Sequence, residues 1–149
     1  VNKFRRNPGY AHGFRSGLEE KVAKELAALG VTIHYESETI SYTKPARNSK
    51  YTPDFPLPNG IIVETKGRFV VEDRQKHILI KEQHPDLDIR FVFSNSNTKI
   101  SKNSKTSYAM WCEKHGFIYA DKSIPQEWIN APVCQKRLAA LESARVKAK

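Results

Sequence analysis

From residue 16 to residue 30 the chain reads SGLEEKVAKELAALG, and Leu18, Val22, Leu26 and Leu29 recur at intervals of three or four. That spacing places them on one stripe of an α-helix. Ser16 is the expected N-cap and Gly30 the expected stop. The pattern then changes period. In VTIHYE, residues 31–36, Val31, Ile33 and Tyr35 alternate with polar positions, which predicts a strand. Residues 38–44, ETISYTK, continue or partner it. Residues 45–50, PARNSK, are polar and led by proline, and read as a linker.

Beyond the linker, two apolar runs flank Pro58-Asn59-Gly60 and predict a hairpin over residues 51–67. Residues 71–84 carry a helical pattern that ends before Pro85. Residues 87–94, LDIRFVFS, form a buried strand, and residues 95–105 a polar, basic loop. A short helix over 106–116 closes at Gly116 and leads into a strand at 117–120. Residues 123–129 make one helical turn. The stretch from Ala131 is rich in Ala, Lys and Arg and reads as a frayed helix. Strands alternating with helices predict an α/β or α+β domain around a mixed sheet.

Composition narrows the class. The 149 residues suit one domain with one core, and no run is long enough to span a bilayer. The opening residues show no secretion signal, so an intracellular protein without membrane partners is expected. Net charge is +9, which favours a polyanionic partner, nucleic acid first. Cys112 and Cys134 form no CxxC pair and read as reduced thiols. His77 and His84 lack zinc-ligand spacing and read as ordinary helix residues; Trp111 and Trp128 read as core.

Chemistry concentrates in YTPDFPLPNGIIVETKG. Side chains alternate along a strand, so Glu64 and Lys66 share a face. If the turn is a three-residue loop with Gly60 left-handed, Leu57 pairs with Ile61 and Asp54 with Glu64. A two-residue loop would turn Asp54 to the wrong face. Facing carboxylates repel, which a purely structural hairpin avoids. A divalent cation relieves the conflict, and hard oxygen ligands suit Mg²⁺. Lys66 beside it can stabilise negative charge on a phosphate. Pro53-Asp54 followed by Glu64-x-Lys66 fits the PD-(D/E)xK nuclease signature. A further carboxylate is expected from the preceding helix. Glu19 lies at the edge of the apolar stripe, whereas Glu20 points to solvent. Ser16-x-x-Glu19 is equally a capping box, so the residues alone leave Glu19 open between the two roles.

The blocks FRSGLEEKV, YTPDFPLPNGIIVETKG, DRQKH, EQHPDLDIRFVFS, TSYAMWCEKHGFIYADKSIP and EWI resemble the phage endonuclease I family of Holliday-junction resolvases, from about Phe14 to Ile129. The resemblance implies a restriction-endonuclease-like mixed sheet flanked by helices. It implies nicking of four-way and other branched DNA with 5′-phosphate and 3′-hydroxyl products. It also implies a catalytic set of Glu19, Asp54, Glu64 and Lys66, which resolves Glu19 towards function. Two Mg²⁺ per site are implied, replaceable by Mn²⁺, with Asp54, Glu64, the Thr65 carbonyl and Glu19 as ligands. The expected assembly is an intertwined, domain-swapped homodimer in the cytoplasm of a bacterial host cell. In that organisation residues 1–15 are a flexible basic arm, 16–130 the nuclease domain with a bridge at 44–53, and 131–149 a basic tail. Arg5, Arg6 and Arg15, then Lys99, Lys102 and Lys105, are the candidate DNA contacts. Two other readings compete: a PD-(D/E)xK nuclease of different specificity, and an architectural DNA-binding protein without catalysis.

Overall fold

The computed structural model describes residues 14–44 and 47–146. They fold as a mixed α+β structure with five helices. Ser16 caps α1 (Gly17–Ala28) by accepting the Glu19 N–H at 3.1 Å, and Gly30 leaves the helix at φ +73°. Val22 and Leu26 of the expected stripe are buried, but Leu29, past the last turn, is 48% exposed. The chain then runs through residues 31–36 without forming a strand, contrary to the sequence reading. Val31, Ile33 and Tyr35 still turn inward against the core, so the alternation was real. It reflects packing, and no ladder of backbone hydrogen bonds accompanies it.

The second correction concerns residues 45–50. β1 (Ile40–Lys44) pairs antiparallel with β2 (Arg47–Tyr51), Lys44 opposite Arg47 and Ile40 opposite Tyr51. Most of the segment expected to be a linker is therefore a strand of a two-stranded sheet. Ile40, Tyr42 and Tyr51 anchor that hairpin in the core.

The main sheet has four strands in the order β3-β4-β5-β6. β3 (Phe55–Pro56) is antiparallel to β4 (Ile62–Lys66), while β5 (Ile89–Phe93) and β6 (Ile118–Asp121) run parallel to β4. α1 covers one face, where Val22, Ala23 and Leu26 meet Phe55, Val63 and Val92. The other face is aromatic: Phe69, Phe91, Phe93 and Phe117 pack with Trp111 of α3 (Tyr108–His115), beneath α2 (Val71–Gln83) and α3. Trp111 and Trp128 are both core residues, as expected. α4 (Gln126–Asn130) follows β6.

The stretch after Ala131, expected to be frayed, docks instead. α5 (Gln135–Ala144) buries Leu141 and Ala144, and Arg137 bonds Asp88 at 2.9 Å. Among the described residues no helix is long and apolar enough to cross a membrane.

Candidate active site

The β3–β4 hairpin folds as its turn chemistry requires. Gly60 stands at φ +95°, its N–H donates to the Leu57 carbonyl at 3.0 Å, and the Leu57 N–H donates to the Ile61 carbonyl at 2.7 Å. The Asn59 side chain locks the loop by accepting the Ile61 N–H and donating to the Trp128 and Ala131 carbonyls. Phe55 opposite Val63 sets the register. Continued outward, it sets Asp54 beside Glu64, as the three-residue loop predicted.

Both carboxylates are tied on one oxygen. Glu64 Oε1 accepts the Tyr51 hydroxyl and, at 3.2 Å, the Asp54 N–H. Asp54 Oδ2 accepts the Thr65 N–H and the Thr65 hydroxyl, each at 2.9 Å. No protein donor meets Asp54 Oδ1 or Glu64 Oε2 among the described residues. Glu64 is only 2% exposed. Burial, with the charge of Asp54 next, pushes its pKa to about 8 against the pull of Lys66 and Tyr51. Burial also raises Asp54, although Thr65 donates two hydrogen bonds to it.

Glu19 arrives from the first turn of α1. Its Oε2 accepts the Tyr35 hydroxyl and its Oε1 the Ser16 hydroxyl, the latter at 3.2 Å. Burial raises its pKa, and the charge of Asp54 adds to the rise against the Tyr35 hydrogen bond. The capping role and the site role coexist: the Glu19 backbone completes the cap while its carboxylate faces Asp54. One oxygen each from Glu19, Glu36 and Asp54 lie within 4.8 Å of one another. Glu64 stands outside that trio. Close, mutually repelling oxygen donors of this kind, one buried and two half-buried, fit a hard divalent cation.

Lys66 points to the other flank, with Nζ 3.5 Å from Asp73 Oδ1 on α2. Burial lowers its pKa, but Glu64, Asp73 and Asp54 outweigh that and leave it above the ordinary lysine value. The parts can therefore hold cations, keep an ammonium charged, and present both to a phosphodiester.

Five residues at this site escaped the sequence reading. Tyr35 and Tyr51 each hold one carboxylate, but in sequence they read only as inward strand residues or strand ends. Glu36 adopts φ +49° and donates its N–H to the Asp54 carbonyl at 3.0 Å, a conformation no periodicity announces. Asp73 resembles any first-turn helix acid. Lys76 looks like a solvent-facing lysine. Of the candidate DNA contacts, Arg15 pairs with Glu36 at 2.8 Å. Lys99 Nζ donates to the Lys105 carbonyl at 3.2 Å. Lys99 and Lys102 line a groove of about 450 Å³ with Gly67 and Arg68, directly after Lys66. Arg5 and Arg6 lie outside the described residues.

Comparisons with known proteins bear on this site's identity. The family profile described as Phage endonuclease I matches residues 2–148. Endonuclease I of Escherichia phage T7 is 60% identical over 119 residues, covering 80% of each chain. Endodeoxyribonuclease 1 of Enterobacteria phage T3 is 56% identical over 119 residues, covering 80% of this chain and 78% of its own.

Proposed function

The chain belongs to the phage endonuclease I family, and from that premise we propose that it is a structure-selective DNA endonuclease that resolves four-way junctions and other branched DNA by paired nicks. The observation that carries the proposal is the single hairpin on which a buried and a half-buried carboxylate and a lysine meet. We read the four-stranded mixed sheet with helices on both faces as restriction-endonuclease-like, because β3 and β4 bring Asp54, Glu64 and Lys66 to one end of it.

Asp54, Glu64 and the Thr65 carbonyl would hold one Mg²⁺, and Glu19 would help to hold a second. Bound there, Mg²⁺ or Mn²⁺ supplies an activated water and charge for the scissile phosphate and the leaving 3′ oxygen. Thr65 fixes Asp54, and Tyr51 fixes Glu64, so the free oxygen of each carboxylate stays aimed into the site. Tyr35 does the same for Glu19. Lys66 neutralises charge that develops on the phosphate. Products with 5′-phosphate and 3′-hydroxyl ends follow from hydrolysis that expels the 3′ oxygen. The net charge of +9, the groove at Arg68, Lys99 and Lys102, and the basic residues Arg5, Arg6 and Arg15 suit a DNA backbone recognised mainly by shape.

Two symmetric cuts call for two sites, so we propose a homodimer. Within one chain Glu19 and Asp54 meet directly. Exchange of the segment before residue 44 between two copies, across the bridge at 44–53, would rebuild the same site from both chains. Mixing Glu19→Ala and Lys66→Ala proteins by co-refolding tests this. A swapped heterodimer has one intact site and regains nicking, whereas sites built within each chain stay dead.

The functional test is cleavage of a synthetic four-way junction in Mg²⁺, mapped on every strand beside a linear duplex of the same sequence. Paired cuts confined to the junction are expected. Equal cutting of the linear duplex would overturn junction selectivity, and no cutting of either would overturn the enzyme.

A further inference from the structure

On α2, Asp73, Lys76, His77 and Ile80 follow the i, i+3, i+4, i+7 spacing of one helical stripe. His77 and Ile80 are fully buried against the sheet, and Asp73 reaches Lys66. Lys76 occupies a position on this inward stripe where an apolar side chain would serve packing better. Its Nζ lies 5.1 Å from the centre of the Tyr51 ring, whose hydroxyl holds Glu64. Among the described residues no hydrogen bond or ion pair reaches that ammonium. Lys66, by contrast, is engaged by Asp73.

The charges around Lys76 come from every neighbouring element: Glu64 and Lys66 on β4, Asp73 on α2 and Asp54 before β3. Its helical neighbour His77 is neutral in character, since burial holds its pKa well below the usual value and neither ring nitrogen has a partner. Burial likewise lowers Lys76, although Glu64 pulls the other way. An ammonium kept partly out of water, touching a π face and no direct acceptor, costs free energy that a strong acceptor would return. Departures of this kind from packing logic cluster at functional sites.

Resting on the reading of this site as a DNA phosphodiesterase centre, we propose that Lys76 is a phosphate-binding residue of the active site, a second cation beside Lys66 that takes a phosphodiester of the bound strand. Lys66 already pairs with Asp73, whereas Lys76 has no direct acceptor among the described residues and is available for a second phosphate contact.

The test uses the full chain and three variants, K76M, K76Q and K76R. Single-turnover cleavage of a four-way junction is measured in Mg²⁺, junction affinity in Ca²⁺ over a salt series, and melting temperature without DNA. K76M keeps the aliphatic stem on Tyr51, so its melting temperature should match wild type. Its cleavage should fall roughly 10- to 100-fold. Its log affinity against log salt should lose roughly 0.7–0.9 of slope, the signature of one phosphate. K76Q should behave alike, and K76R should keep both cleavage and slope. Wild-type cleavage and slope in K76M, with wild-type protein active, overturn the proposal alone. Equal loss in K76M, K76Q and K76R also overturns it, since packing and not charge would then be responsible. A wild-type protein that neither binds nor cuts DNA overturns the functional reading and this proposal together.

Discussion

The β1–β2 and β3–β4 hairpins follow each other in the chain and bury different things. β1–β2 turns Ile40, Tyr42 and Tyr51 inward and leaves Ser41, Thr43, Asn48 and Lys50 in solvent. Its outer edge is fastened by Gln83, which exchanges hydrogen bonds with the Thr43 backbone. The β3–β4 hairpin buries Phe55, Leu57, Ile61, Ile62 and Val63, and beyond them Glu64 and Thr65. The first hairpin is an ordinary half-buried ribbon. The second carries ionisable groups into a region where each costs stability unless something compensates. Tyr51 joins the two: it ends β2 and donates to Glu64. The comparison teaches that part of the support of the candidate site, the Tyr51 hydroxyl on Glu64, comes from a hairpin that contributes none of the proposed catalytic side chains.

The largest difference between the hairpins should appear in catalysis. Asp54→Ala and Glu64→Ala are expected to slow junction cleavage roughly 100- to 1,000-fold while affinity survives. Lys50→Ala on β2 should leave the rate close to wild type. Parallel loss of binding and cutting in the two carboxylate variants would break the distinction, because it would make them structural.

Stability separates two glycines next. A Cβ on Gly60 would lie 2.6 Å from Arg137 Cβ, at φ +95°. Gly60→Ala should therefore cost about 2–3 kcal/mol, from overpacking and backbone strain together. Gly17, in the first turn of α1, has nothing within 4 Å of such a Cβ. Gly17→Ala should be neutral or stabilise by up to about 1 kcal/mol. Thermal melts of both decide it, and equal melting temperatures would mean that the turn does not lean on α5.

A smaller effect should follow pH. Glu64 is protonated more readily in the folded chain, with a pKa of about 8 against 4.5. The folded state then binds the extra proton across that window, so stability falls as pH rises from about 4.5 through 8. The penalty is absent below the window and complete above it. Melting temperatures in EDTA should decline over this range, Glu64→Gln should flatten the decline, and Mg²⁺ should restore part of it at the alkaline end. A melting temperature that rises with pH through the window, or one that Glu64→Gln leaves unaltered in slope, would contradict the burial account.

The smallest effect belongs to the rim. Arg15 is 70% exposed where it pairs with Glu36. Arg15→Ala should change stability by less than about 1 kcal/mol, checked by denaturant titration.

Much of this was legible in the sequence, for identifiable reasons. Pro58-Asn59-Gly60 announces a turn, and of the two loop lengths it allows, the three-residue one with Gly60 left-handed sets Asp54 opposite Glu64. Ser16 and Gly30 bracket α1 because caps act locally. β2 was illegible because its inward contribution includes Tyr51 at the very end, and a polar run with one terminal aromatic carries no period. Residues 31–36 show the reverse: Val31, Ile33 and Tyr35 alternate, yet among the described residues the segment forms no ladder, only the single bond from the Glu36 N–H to the Asp54 carbonyl at its end. α5 was underestimated because its buried residues, Leu141 and Ala144, are few among lysines and arginines. Asp73 and Lys76 were missed since their significance depends on α2 crossing the end of β4, a tertiary fact.

The central claim is that the β3–β4 hairpin forms a metal-dependent phosphodiester-cleaving centre. The direct measurement is single-turnover cleavage of a four-way junction by wild-type and Lys66→Ala protein, each in Mg²⁺ and in EDTA, with binding followed in parallel. Cutting by wild type in Mg²⁺ alone, with Lys66→Ala bound but inactive, is the predicted result. Cutting that persists in EDTA, or at the wild-type rate in Lys66→Ala, would contradict the claim.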